Sequence, residues 1–293
     1  MIYGKNGKNG KKYYKIALHL HSTLSDGKLT PDEIAKEYKR DGYDAIALTD
    51  HWKYGECREI DGLHVISGCE YNYGVANTKD GGVMHIVGLG MRFDPEIKRD
   101  ATKQEIIDGI RSAMGMAVLA HPAWSLNSVE ELKELSGIEA TEIYNAVSEA
   151  GQSLRPDSSY FVDLAANKGE YPKLLATDDA HYYGGIDDRK GWVYVSCDEL
   201  CDEAILEAIR RGDFYASMGP ELYVERVGNK LIIDTSPSDI IGTLSNMSWA
   251  ASRVLRGEGL THHEYEFKEV EDWVRVEATD KYGKKAWSNI FVK

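Results

Sequence analysis

Ile16-Ala-Leu-His-Leu-His-Ser-Thr-Leu-Ser-Asp-Gly27 is an apolar stretch that runs into two histidines and an acid. A strand over residues 14–21 has a side-chain period of two. That places His19 and His21 on one face, their rings side by side at the strand's C-terminal end. Asp26 follows in a Ser-Asp-Gly turn, from which its carboxylate can bend back over the strand end. Two imidazoles and a carboxylate at one strand end form a metal-ligand arrangement. The spacing alone is weak, so the reading depends on whether the layout recurs.

It recurs along the chain. Asp44-Ala-Ile-Ala-Leu-Thr-Asp-His51 is an apolar run ending in Asp50 and His51, and Leu63-His-Val-Ile-Ser-Gly-Cys-Glu70 ends in an acid. Gly82-Val-Met-His-Ile-Val-Gly-Leu-Gly90 carries His85, and Met116-Ala-Val-Leu-Ala-His-Pro122 carries His121. Glu139-Ala-Thr-Glu-Ile-Tyr-Asn145 and Lys173-Leu-Leu-Ala-Thr-Asp-Asp-Ala-His181 are further strands. Helical segments lie between them. Thr30 is an N-cap, Pro31 takes the first helical position, Glu33 completes a capping box and Gly42 marks the stop. Residues 103–114 and 158–167 are also helical.

Short apolar strands alternating with helices predict βα units and a parallel sheet. An open doubly wound sheet gathers its site at one switch point, whereas ligand-type residues on six or more strand ends favour a closed or nearly closed barrel. From about Met218 the texture changes to period-two alternation separated by Gly, Asn, Ser and Asp. That predicts a small antiparallel β-sandwich-like domain. The expected organisation is a flexible tail over 1–12, an α/β barrel over 13–217 and the β domain over 218–293.

The 293 residues are 42% hydrophobic and 28% charged, the balance of a soluble globular protein. The first twelve residues lack the apolar segment of a signal peptide, and no apolar run reaches the length of a membrane span. The four cysteines form neither a disulfide framework nor a zinc-finger spacing, so a cytoplasmic location is expected. A net charge of -13 with scattered Lys and Arg argues against long nucleic acid and for a small substrate.

His19-x-His21-x4-Asp26, Thr49-Asp-His51, Gly68-Cys-Glu70, His85, His121-Pro122 and Asp179-Ala-His181 resemble, in this order, the motifs of the PHP (polymerase and histidinol phosphatase) superfamily. The resemblance spans roughly 13–215. It implies a distorted (β/α)7 barrel holding up to three divalent metals, zinc, manganese or iron, that hydrolyse phosphoesters. Residues 214–221, 275–280 and 286–289 are similar to a bacterial subfamily with an added β domain. Carried over by position, the resemblance implies one metal on His19, His21, Glu70 and Asp179, and a second on Glu70, His85 and His121. The third falls to Asp26, His51 and His181. Asp178 stands where many members have Ser or Thr, in a position to accept hydrogen bonds behind the ligands.

The expected chemistry is phosphoester hydrolysis at a trinuclear site, a bridging water being brought toward a pKa of about 7 to attack phosphorus. Glu70, Asp26 and His181 are the candidate catalytic residues. Arg189 and Asn145 are the candidate substrate contacts, although Arg189 reads equally as a solvated loop charge and Tyr144 beside Asn145 as packing. The expected substrate is a small phosphorylated molecule. The alternatives are a nuclease trimming short oligonucleotides and a non-catalytic metal-binding scaffold with a partner-binding β domain. His64, early in its strand, lies at the wrong end for the site.

Overall fold

The computed structural model describes residues 5–7, 10–75 and 82–293 and shows a mixed α/β fold. Strand Lys12–Ala17 pairs in parallel with Ala45–Ala47, which pairs in parallel with Leu63–Ile66. Helix Pro31–Arg40 crosses between the first two, with Thr30 and Glu33 forming the expected capping box and Ile34, Ala35 and Tyr38 facing the core. Gly42, at φ +79°, takes the left-handed position that releases the chain from the helix.

A second sheet contains Gly68–Tyr73, Met84–Leu89, Met116–Leu119, Ile138–Asn145 and Lys173–Thr177. The last three run parallel, as βα units require, while Gly68–Tyr73 and Met84–Leu89 form an antiparallel pair. Two expectations change here. The run from Leu63 to Glu70 is not one strand, because the chain leaves the first sheet at Ser67 and joins the second at Gly68, where a β-carbon would lie 2.9 Å from the Leu48 carbonyl oxygen. Met84–Leu89 runs opposite to its neighbours, so His85 reaches the common strand end from the start of its strand.

The two sheets meet through isolated parallel bridges, Leu20 with Ala180 and His51 with Glu70, and an antiparallel one between Gly55 and Gly68. These contacts carry His21, His51, Glu70 and His181 or their immediate neighbours. The seven-stranded barrel expected from the sequence is therefore not closed by a continuous ladder. The linking pairs gather at the end where the ligand-type residues sit.

The C-terminal strands also depart from expectation. Strand Phe214–Ser217 pairs on one side with Trp192–Val195 and on the other with Lys285–Trp287, so residues beyond 217 continue the first sheet. The long hairpin of Lys230–Ser245 and Val254–Glu266 is irregular between Asp234 and Ile240. Its first half carries Leu222–Val227 and its second half Trp273–Thr279, over a shared core containing Ile233, Ile241 and Val276. These strands are linked by hydrogen bonds to one another and, through Lys285–Trp287, to the first sheet. Arg275, fully buried, donates to both oxygens of Asp163 at 2.6 and 3.0 Å and pins this layer to helix Ser159–Ala166.

At the N-terminus, Lys5–Asn6 pairs with Lys12–Ala17, so part of the expected tail is strand; residues 1–4 and 8–9 lie outside the described residues. Among the described residues no helix is long and apolar enough to cross a membrane.

Candidate metal centre

All nine candidate ligands converge at one end of the strands. His19, His21, Glu70 and Asp179 place ligand atoms within 4.8 Å of one another; so do Glu70, His85 and His121, and so do His21, Asp26, His51 and His181. Glu70 is the hub. Its Oε2 lies 3.1 Å from His21 Nε2, 3.1 Å from His51 Nδ1 and 3.4 Å from His19 Nε2, while Oε1 lies 2.9 Å from His85 Nδ1 and 3.4 Å from His121 Nε2. One carboxylate thus turns one oxygen to each of two groups. Asp179 Oδ1 sits 3.0 Å from His21 Nε2 and 3.2 Å from His19 Nε2. Asp26, whose side chain is 55% exposed, stands at the mouth, 3.4 Å from His181 Nε2 and 3.7 Å from His51 Nε2.

The cluster is out of electrostatic balance as protein alone. Burial opposes the charge on Glu70 and Asp179, yet the surrounding histidines hold both carboxyls well below their usual range. Burial likewise opposes charging His21, but Asp179 and Glu70 raise its pKa to about 9, and His19 is raised by Asp179, Glu142 and Glu70. The carboxylates demand positive charge at this point. Glu70 Oε2, Asp179 Oδ1 and His51 Nδ1 are buried without a hydrogen-bond partner. Orphaned acceptors beside unshared imidazole nitrogens, with no thiolate among them, fit divalent cations of the zinc, manganese or iron type.

Residues behind the ligands hold them, and sequence reasoning missed the most important one. Glu142 lies on strand Ile138–Asn145, its Oε1 2.6 Å from His19 Nδ1 and its Oε2 accepting from the His121 backbone N–H at 2.8 Å. That contact orients the His19 ring so that Nε2 faces Asp179 and Glu70. The signal was an acid in the middle of an apolar strand, at a position that no metal motif contains. Asp50 accepts from the backbone and hydroxyls of Ser22 and Ser25 at 2.7–3.1 Å and so fixes the turn bearing Asp26. Asp187 accepts the backbone N–H groups of His181, Tyr182 and Tyr183 at 2.7–2.8 Å. His121 and Asp179 have positive φ, 29° and 51°, a backbone cost concentrated at the cluster.

Two candidate substrate contacts are corrected. Arg189 points away from the pocket, pairing with Asp41 at 2.9 Å, Glu37 at 3.3 Å and Asp188 at 2.5 Å. Its direction follows from Asp178, which is buried and accepts from the backbone N–H groups of Arg189, Lys190 and Gly191 and from Tyr38, anchoring that loop toward helix Pro31–Arg40. Asn145 is buried and fully engaged: its amide donates to Glu142 at 2.8 Å and Asp179 at 3.1 Å, and its oxygen accepts from Ser148. It positions Asp179 and leaves no group for substrate. His64 is remote from the cluster and pairs with Asp202.

Above the ligands lies a pocket of about 260 Å³, with Trp124 and Tyr182 in its wall. The Trp124 ring packs edge-on to His121 at 4.9 Å, and the Tyr182 ring lies 6.5 Å from His181 with the Lys28 ammonium 5.0 Å above it. Aromatic faces thus stand beside two different parts of the cluster.

Residues 17–183 match the model of the PHP domain. The chain is similar to a 5'-3' exoribonuclease of Haemophilus influenzae, 35% identical over 192 residues, 59% of this chain; it spans just under two thirds, 66%, of that relative's length. Among solved structures it resembles a protein of Bacteroides vulgatus ATCC 8482 described as a two-domain protein containing a predicted PHP-like metal-dependent phosphoesterase. That likeness has a TM-score of 0.56 at 14% identity and covers 100% of this chain and 98% of the other. It also resembles endonuclease Q in complex with a 27-mer duplex bearing an abasic lesion, with a TM-score of 0.50 at 15% identity, covering 68% of this chain and 57% of that one. These relatives correct the expectation of a small phosphorylated substrate and no long nucleic acid. The physical reason is that net charge sums the whole surface, whereas divalent cations at a His and carboxylate cluster would set the local sign. With the match covering more than half of the sequence and two likenesses extending over its fold, the chain belongs to the PHP domain family.

Proposed function

We propose that the protein is a metal-dependent nuclease that hydrolyses phosphodiester bonds at the ends of single-stranded nucleic acid, RNA foremost. The observation that carries the reading is the gathering of nine N and O donor residues in one cluster, five of its histidines facing the two oxygens of Glu70, with buried acceptors left unsatisfied. In this reading His19, His21, Glu70 and Asp179 hold one ion, Glu70, His85 and His121 a second, and Asp26, His51 and His181 a third, around an incompletely closed seven-stranded barrel. Divalent ions there supply Lewis-acid stabilisation of phosphoryl oxygens and a water acidic enough to deprotonate near neutral pH.

The chain's own residues do the rest. Glu70 would be shared between the first two ions, and Glu142 and Asn145 hold His19 and Asp179 in place. Asp26 and His181, on the open side, orient the leaving end of the substrate. Trp124 and Tyr182 offer faces on which unstacked bases rest, and such stacking contributes about 1–3 kcal/mol per base without sequence preference. The similarity to an exoribonuclease supports RNA as substrate. Four free cysteines fit a reducing cytoplasm as the place of action.

The test is hydrolysis of a 5'-phosphorylated, end-labelled RNA oligonucleotide by protein that has been stripped and reloaded with zinc, manganese or iron. Stepwise release of mononucleotides that chelator abolishes and Glu70→Gln removes supports the reading. Absence of cleavage under every loading, or cleavage that survives Glu70→Gln, defeats it.

A further inference from the structure

Away from the nine-residue cluster, three side chains of different chemistry from three separate segments meet at one point. Cys57 precedes strand Arg58–Ile60, His64 lies in Leu63–Ile66, and Asp202 is the first residue of helix Asp202–Arg211. Their ligand atoms fall within 4.8 Å of one another. His64 pairs in register with Ala45 and Asp202 accepts from Ser67, and none of the trio belongs to the ligand groups gathered around Glu70 and Asp26.

We propose that Cys57, His64 and Asp202 bind one divalent cation of the zinc class, independent of the catalytic cluster. His64 Nε2 lies 2.7 Å from Asp202 Oδ1, and the Ser67 backbone N–H donates to Asp202 Oδ2 at 3.0 Å, so the carboxylate is held in place. An ion pair would need only His64 and Asp202; the thiol brought to the same point completes a sulfur, nitrogen and oxygen donor set that suits zinc. Burial and the neighbouring Asp202 carboxylate push the Cys57 thiol up to about 12. A cation would displace that proton to solvent and take the thiolate. Cys57 and Asp202 also line a cavity of about 830 Å³, which leaves the fourth position to water or an incoming ligand. Bound there, the ion would tie the segment before Arg58 to the start of helix Asp202–Arg211.

The catalytic cluster contains no sulfur donor, so a thiolate-to-cobalt charge-transfer band reports the proposed site alone. The full chain is loaded with Co2+ and its near-ultraviolet absorption recorded, and zinc content is measured in parallel by elemental analysis. The proposal expects the band in wild type, its loss in Cys57→Ser, and about one zinc equivalent fewer in that variant. RNA cleavage and circular dichroism should remain as in wild type. His64→Gln, which removes the nitrogen donor, should weaken the band. A fully loaded wild type without the band overturns the proposal, as does a band that persists in Cys57→Ser and disappears in Cys201→Ser. Because the readout does not depend on turnover, its failure is distinguishable from failure of the nuclease reading.

Discussion

Glu142 provides the sharpest quantitative prediction, because Glu142→Gln keeps size and shape and changes one interaction. The carboxylate serves His19 Nδ1 with one oxygen and the His121 N–H and Asn145 amide with the other. An amide can accept through one atom only. If its NH2 faces His19, the ring proton moves to Nε2, the nitrogen aimed at Asp179 and Glu70, and that nitrogen is lost as a ligand. If it faces His121, two N–H donors confront each other in a buried site. Either way one hydrogen bond to a charged group is lost, about 2 kcal/mol, or about 30-fold in metal affinity at 1.4 kcal/mol per decade. The assay is cleavage rate against free metal concentration, with calorimetric titration of the stripped protein. The expected result is an activation curve displaced to about 30-fold higher metal and restored at saturation. A curve superimposable on wild type, or a loss of rate with unchanged metal affinity, would show that Glu142 does not orient His19 for a metal.

Other outcomes follow from individual contacts. Arg189→Ala should leave cleavage near wild type, because its guanidinium faces Asp41, Glu37 and Asp188, while thermal denaturation shows a loss of roughly 1–3 kcal/mol as the buried Asp188 loses its cationic partner and keeps only the Gly185 N–H. Tyr182→Ala should raise KM for an oligonucleotide about tenfold, from one lost stacking face, with little effect on bis-p-nitrophenyl phosphate; equal effects on both would remove the stacking role. Arg275→Met leaves Asp163 without its bidentate partner and should lower stability by about 3 kcal/mol in urea denaturation.

How much the sequence disclosed depended on the kind of interaction. Eight of the nine ligand-type residues were legible because they lie at or near the ends of short apolar runs, Asp26 because it follows the first of these in a turn, and the helix start at Thr30 because capping is local chemistry. Glu142 was not, since an acid inside an apolar strand matters only once strand pairing brings His19 beside it. Arg189 was misplaced for a similar reason: the loop direction is set by Asp178 accepting three backbone N–H groups, a long-range condition with no trace in composition. Period two identifies a strand and is silent on its direction and sheet, so the antiparallel pairing of Met84–Leu89 and the split at Ser67 escaped it, as did the continuation of the first sheet into Lys285–Trp287. Net charge misled because it contains no information about what a cluster of imidazoles and carboxylates attracts.

In the proposed function Glu70 joins two cation positions and Asp26 marks a third. Crystals of protein loaded with manganese or zinc, measured at the absorption edge of the metal, test it directly. Anomalous peaks are expected on both sides of the Glu70 carboxylate, with a further peak beside Asp26, His51 and His181; a map with no peak within bonding distance of Glu70 rules the shared carboxylate out.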